Sequence, residues 1–361
     1  MNDLKIELKN RELPPLLARD EMTEVIDREI FGYLPCVEYT VSVDEPRTED
    51  SRYKCNTVER STVNMTVTVD GISHTFPVDR LLHNDGKKRP LVIVNNFHRM
   101  ECSHYFPIEE MSEYEADYLL FRYKDVSSDD GDFTNGLAPL LLPKGQNEDT
   151  SPGKIAIWAW AAMRVLDYGL TLGGTDKDNV AIAGHSRLGK CALYTAMHDT
   201  RFKYAFSNAA GCTGDALSRG NSGHKRDKIS YAYGELICDI VKTFPYWFCK
   251  NYRKYTKRNI SDTFDQHYLV GAIAPRYVLI GSCDLDNWAD PVSQQLCALA
   301  SSEAWERCGI DGIIGCDRYI ESGEALLNGH VGFFKIHSPH FLSRHCWKRF
   351  MDFLSIHKND K

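Results

Sequence analysis

From Arg89 onward the sequence keeps returning to one two-part unit, a continuous apolar run of strand length followed by a helix-length stretch. The runs are RPLVIVNNF (89–97), ADYLLFRY (116–123), VAIA (180–183), YAFSNAA (204–210), RYVLIGS (276–282) and VGFFKIHS (331–338). Apolar runs without alternation suit strands covered on both faces, as in parallel sheets. The helical stretches between and after them are GKIAIWAWAAMRVLDYGL, KCALYTAMHD, PVSQQLCALASSEAWER and FLSRHCWKRFMDFL (341–354). Ser151 and Pro152 are expected to open the first of these as cap and first residue. Ahead of the repeat, Val63, Met65, Val67 and Val69 alternate with polar residues up to Asp70-Gly71 and HTFPV, which reads as a hairpin. The expected fold is α/β, with a mostly parallel sheet and helices on both faces.

Its 361 residues could bury one large core, and no low-complexity linker divides them, so residues 1–361 are read as a single catalytic domain. Residues 1–58 read as an irregular extension packed on it. Residues 210–275, rich in Gly, Arg, Lys and aromatics, read as an insertion over the strand ends. A formal charge of −7 and a pI near 6.0 argue against nucleic acid as partner, and YRKYTKR (252–258) is read as a solvated face. No run approaches the ~20 apolar residues of a membrane helix, and the opening MNDLKIELKNRELPP lacks a secretory apolar core. The expectation is a cytoplasmic protein without a membrane partner. The 12 cysteines show no C-x-x-C pair and are read as mostly buried thiols. No cofactor is expected. His337 and His340 are spaced H-x-x-H without a companion ligand cluster, and DDGD (129–132) lacks the calcium-loop ladder, so no metal is expected and the latter is read as a polar loop.

Ligands of open α/β sheets collect at the carboxyl ends of the strands. There the sequence places Ser186 after VAIA, Asp284 and Asp286 after RYVLIGS, and His340 after VGFFKIHS. That order, Ser, Asp, His, is the one of α/β-hydrolases. A serine hydroxyl needs an imidazole to take its proton, and the imidazole needs a carboxylate to fix its tautomer. The turn GHSRLGK departs from G-x-S-x-G, since Leu188 stands where glycine is usual and Gly189 follows. Ser186 could instead simply cap the next helix.

GHSRLGK, with FPYWF (244–248), FDQH (264–267), APR (274–276) and D-x-WADP (286–291), resembles the glucuronoyl esterases, carbohydrate esterase family 15, in register from about residue 150 to 354. The resemblance implies an α/β-hydrolase fold with Ser186 as nucleophile and His340 as base. It further implies that Arg187 stabilises the oxyanion and that Lys190, Trp288 and, more weakly, Glu235 line the sugar. Many members carry the triad acid as glutamate after the strand that follows the nucleophile helix. Here that position is Ala209, so the acid is expected from Asp286, with Asp284 as runner-up. Fungal relatives have a disulfide-bonded cysteine where this chain has His185.

The implied function is hydrolysis of an ester of the glucuronate carboxyl. Two other readings stand beside it: a carbohydrate acetyl esterase such as an acetyl xylan esterase, and an inactive carbohydrate-binding relative, which the loss of an acid at position 209 keeps open. Oligomeric state and the alcohol half of the ester are not legible.

Overall fold

The apolar runs pair into one sheet. In the structure, a computed structural model, residues 3–48, 58–219 and 234–360 are described. The strands are β1 (Thr40–Val43), β2 (Arg47–Thr48), β3 (Val58–Val69), β4 (Ile72–His83), β5 (Arg89–Asn96), β6 (Asp117–Arg122), β7 (Thr175–His185), β8 (Tyr204–Asn208), β9 (Tyr277–Cys283), β10 (Ala325–Leu326) and β11 (Val331–Ile336). They lie in the order β1-β3-β4-β6-β5-β7-β8-β9-β11-β10, with β2 also on β3. From β6 through β11 every neighbour is parallel, so β5, β7, β8, β9 and β11 all end at the same edge.

The unbroken runs are explained by what covers them. In β5, Leu91 and Ile93 enter the core beneath the helices Lys154–Gly169 and Arg187–His198, while Val92 and Val94 enter the core beneath the helix Arg344–His357. Burying each such side chain contributes about 1.5–3 kcal/mol, so a one-sided position would forfeit half of what this strand gains.

The hairpin β3–β4 turns at Asp70-Gly71, with Val69 opposite Ile72 and both turn residues at positive φ (49° and 78°). That is the two-residue turn whose twist matches the strands. The amino-terminal extension docks Leu16, Met22, Ile26, Ile30 and Phe31 into the main core, and residues 40–48 are more regular than expected, adding β1 and β2 to the sheet edge.

Within 210–275, residues 220–233 lie outside the described residues, as does Cys55. The remainder holds the helices Ile237–Thr243 and His267–Gly271 and the turns Pro245–Trp247 and Lys250–Lys257. In the basic stretch Tyr252 is buried with its hydroxyl 2.9 Å from Thr213 Oγ1, and Lys254 and Arg258 pair with Glu29 and Asp262. It is therefore part of the packing of this region rather than a bare face.

The helix expected to be capped by Ser151 begins instead at Lys154, with Gly153 as its cap residue and no side-chain cap. A close backbone approach decides this: a Cβ on Gly153 would lie 2.2 Å from the carbonyl oxygen of Trp247. Gly153→Ala should lower stability by about 2–3 kcal/mol through overpacking, read as a lower urea midpoint at unchanged m. Gly173→Ala, where a Cβ meets nothing within 4 Å, should leave the midpoint in place.

Candidate active site

Strand β7 ends at His185, and the chain reverses into the helix Arg187–His198 through Ser186. Ser186 has φ 57° and ψ −127°, and its hydroxyl makes no cap bond to that helix. A helix cap has extended φ/ψ and its side-chain oxygen accepts from an N–H of the first turn, so the capping alternative does not describe this residue. Strain of this kind in a non-glycine residue costs about 1–3 kcal/mol and marks functional turns. The turn closes because Gly184 and Gly189 have no side chains. A Cβ on Gly184 would lie 2.0 Å from the Leu188 carbonyl oxygen, and one on Gly189 would lie 2.9 Å from Ser207 Oγ and 3.1 Å from Ala210 Cβ. The spacing G-x-S-x-x-G thus does the work expected of G-x-S-x-G, one residue further along.

The two histidines and two aspartates beyond β9 and β11 separate into two pairs. His340 Nδ1 donates to Asp286 Oδ2 at 2.5 Å, and Asp286 is buried while the His340 side chain is 43% exposed. His337 Nδ1 donates to Asp284 at 2.9 Å, and the same carboxylate receives the Ser322 hydroxyl and the Ser338 backbone N–H. The H-x-x-H pair is thereby divided between two carboxylates. The His340 ring lies 4.5 Å from that of His185, the residue before Ser186, which sets the imidazole against the serine turn.

Arg187 is the first residue of the helix, and its guanidinium donates to Asp129 from Nη1. It lies 4.5 Å from the Trp247 ring, 5.1 Å from Phe244 and 5.6 Å from Phe97. The carboxylate of Asp129 also accepts the Trp247 indole N–H and the Tyr123 hydroxyl, each at 2.7 Å. Lys190 is buried, and its ammonium donates to the backbone carbonyls of Ala210 and Cys212. Burial pulls its pKa down, against the pull of the nearby Glu235 carboxylate. Glu235 shifts the opposite way: burial pushes it up, and the Lys190 charge and a hydrogen bond from Trp288 hold it back. The backbones of 234–235 and 287–288 bond directly, Gly234 N to Asn287 O at 2.8 Å and Glu235 N to Trp288 O at 2.9 Å. Trp288 itself is 41% exposed.

Ser186, Arg187, Lys190, Glu235, Asp286, Trp288 and His340, together with Ala209, Phe244 and Trp247, line one cavity of 350 Å³. Every first-choice candidate named from the sequence is brought to it, whereas the runner-up acid Asp284 lies outside, on His337 and Ser322. At position 209 the alanine stands at φ 49° with its N–H on the Gly281 carbonyl, and the carboxylate reaching His340 is that of Asp286, from the loop beyond β9. Such a cavity offers a nucleophile on a strained turn, a base oriented by an acid, and a fixed cation beside the nucleophile, which together suit acyl transfer.

A family description of fungal glucuronyl esterases matches residues 108–309. The chain belongs to the glucuronoyl esterase family. Carbohydrate esterase MZ0003, from an unknown prokaryotic organism, is 32% identical over 235 residues, which are 64% of this chain and 51% of that protein. A 4-O-methyl-glucuronoyl methylesterase of Thermothelomyces thermophilus is 25% identical over 198 residues, 52% of this chain and 49% of that one. The chain thus spans about half the length of these relatives. Among solved structures, a promiscuous CE15 esterase from a marine bacterial metagenome superposes with TM-score 0.80 at 24% identity, covering 94% of this chain and 91% of that one. The glucuronoyl esterase from Solibacter usitatus superposes with TM-score 0.81 at 23% identity over the same shares. The fold is that of the α/β-hydrolase-type CE15 esterases.

Asp129 and His185 touch two of the cavity's candidates, Arg187 and His340, and have no role in the sequence reading. DDGD read as a polar loop, and the cluster FPYWF was the one signal that aromatic rings gather nearby. His185 is buried, its Nδ1 is 3.1 Å from the Asn208 carbonyl, and its ring packs 5.2 Å from Tyr105. Burial, then the neighbouring His340, hold its pKa well below the ordinary 6.5. The unfolded chain therefore binds a proton below about pH 6.5 that the folded chain refuses, and stability falls as pH drops through that range. His185→Gln should reduce this acid loss by up to about 1.4 kcal/mol per pH unit, measured from urea midpoints between pH 7.5 and 5. His267 and His330, also held down by burial, keep part of the slope.

Proposed function

We propose that this chain is a serine carboxylic-ester hydrolase that cleaves esters of the glucuronate carboxyl, of the 4-O-methyl-glucuronoyl type. The observation that carries the reading is the Asp286–His340 bond set against the strained Ser186 in a cavity whose opposite wall is polar and aromatic. Ser186 Oγ attacks the ester carbonyl while His340 Nε2 takes its proton. Asp286 holds the Nδ1–H tautomer and stabilises the imidazolium. The developing oxyanion forms next to the Arg187 cation, and a fixed donor at such a position typically supplies about 3–4 kcal/mol of barrier lowering. His340 returns the proton to the departing alcohol, water repeats the sequence on the acyl-enzyme, and the uronate leaves.

The choice of a uronate acyl group over acetate rests on room and lining. A cavity of 350 Å³ fits a monosaccharide-sized group and is far larger than an acetyl needs. Trp288 presents a half-exposed apolar ring, and Glu235 and Lys190 supply an acceptor and a donor for sugar hydroxyls. The names of the relatives, 4-O-methyl-glucuronoyl methylesterases among them, support the same substrate class.

Hydrolysis of benzyl glucuronate beside p-nitrophenyl acetate tests this. Ser186→Ala should lower kcat on the uronate ester by about four orders of magnitude or more, and Asp286→Asn by about three to four. Asp284→Asn should stay within about threefold of wild type in kcat, because the asparagine oxygen can still accept from the Ser338 N–H and position 284 does not touch His340. Trp288→Ala should reduce kcat/KM on the uronate ester by at least about tenfold while leaving acetate within about threefold. Equal losses on both substrates would sink the assignment of Trp288 to the acyl sugar, and turnover of acetate alone would replace the uronate reading with an acetyl esterase.

A further inference from the structure

The loop 127–135, after β6, is organised around a lysine. Lys154, at the start of its helix, donates from Nζ to Ser127 Oγ at 2.7 Å and to the Asp132 carbonyl at 2.6 Å, and Trp158 Nε1 donates to the Ser127 carbonyl at 3.2 Å. Asp130 and Asp132 turn back on the loop itself, accepting from Ser128 Oγ, Asp132 N and Thr134 N. Asp129 alone of the three acids is turned inward. Its side chain is 6% exposed, its carboxylate takes the bonds from Arg187, Trp247 and Tyr123, and its backbone carbonyl accepts the Tyr246 hydroxyl at 2.9 Å.

We propose that Asp129 is the positioning residue of the oxyanion site, fixing the Arg187 guanidinium in advance of the substrate; the proposal rests on the esterase reading given above. An arginine side chain has many rotamers to give up when it is fixed. Left loose beside Ser186, it would surrender that freedom in the transition state and help correspondingly less. Four contacts remove the freedom beforehand: the Asp129 carboxylate on Nη1, the Trp247 face, and the Phe244 and Phe97 rings. Trp247 serves twice, stacking on the guanidinium and donating its indole N–H to the carboxylate that holds it, so cation and anion share one rigid plate. Nη1 is committed to Asp129, whereas Nε is buried with no acceptor among the described residues. The guanidinium is thus held on one side by Asp129 while Arg187, its side chain 22% exposed, lines the cavity with Ser186.

A residue that acts only through Arg187 has an effect that vanishes when Arg187 is gone. Asp129→Ala should lower kcat on benzyl glucuronate about 10- to 100-fold with KM within about threefold, and Asp129→Glu should recover part of the loss. In an Arg187→Ala background, adding Asp129→Ala should change kcat by less than about twofold. Equal losses in the two backgrounds would overturn the proposal in favour of a purely structural role, as would a single variant with unchanged kcat. Should Asp129→Ala fold poorly, as judged from its urea midpoint, Asp129→Asn keeps the loop's polar contacts and carries the same cycle. The rate at which a fluorophosphonate labels Ser186 separates this proposal from the substrate assignment. Labelling slowed by Asp129→Ala only when Arg187 is present supports the positioning role even if the uronate ester proves a poor substrate. Labelling indifferent to Asp129 overturns it even if that ester is turned over.

Discussion

The serine turn at the end of β7 is the constraint on which the site depends. Ser186 is held at φ 57°, ψ −127° by a backbone that cannot relax, because the Leu188 carbonyl presses on Gly184 and the end of β8 presses on Gly189. The Ser186 N–H is fixed on the Asn208 carbonyl at 2.8 Å, so the turn is tied to the neighbouring strand as well as to its own helix. A local cost of about 1–3 kcal/mol is small beside the burial supplied by strands covered on both faces. Since β5 and β7–β9 run parallel, their following loops must converge on the same edge, and each brings one element: Phe97, Ser186 with Arg187, Ala209, and Asp286.

Charge is gathered at this edge only in compensated form. Asp215 is fully buried and pushed up by burial, yet it accepts from Ser207 Oγ, Gln294 Nε2 and Gly211 N. Lys190 grips the carbonyls of Ala210 and Cys212 from the other side. The loop 209–212 is therefore clamped between an acid and a base, neither of which meets bulk water. Breaking one partner of such an arrangement leaves a buried group unmet, which costs more than the bond contributes when intact. The same reasoning applies to Arg187 and Asp129, and it explains why a cavity lined by Arg187, Lys190, Glu235 and Asp286 can exist at all.

Features legible in the sequence were those whose signal is local. Apolar runs without alternation gave the parallel strands, and Ser, Asp and His at strand ends gave the triad order, because the topology of an open sheet turns chain position into spatial position. The cap at Ser151 was misread because the deciding contact, Gly153 against the Trp247 carbonyl, joins segments far apart in the chain. Asp129 was passed over for the same reason. A DDGD loop without a calcium ladder looks merely polar, and nothing local shows that the positive charge at its centre is Lys154, whose ammonium burial pulls down to about 8. Arg187 lies 58 residues further along. Asp284 and Asp286 share one loop, and only the fold could divide them.

That division accounts for the carboxylate on His340 coming from beyond β9, with alanine at position 209. The His340 loop is fastened at several points to the ends of β8 and β9. Asp284 accepts from the Ser338 N–H and His337, while the Phe341 carbonyl accepts from Asn208 Nδ2 at 3.2 Å and lies 3.5 Å from Cys283 Sγ. With the loop seated on β9, an acid two residues after Asp284 on the same turn reaches Nδ1 without help from β8. Asp284 holds the loop that carries the base, and Asp286 holds the ring. The end of β8 serves instead as a strut, Asn208 holding the Phe341 carbonyl and the Ala209 N–H holding β9.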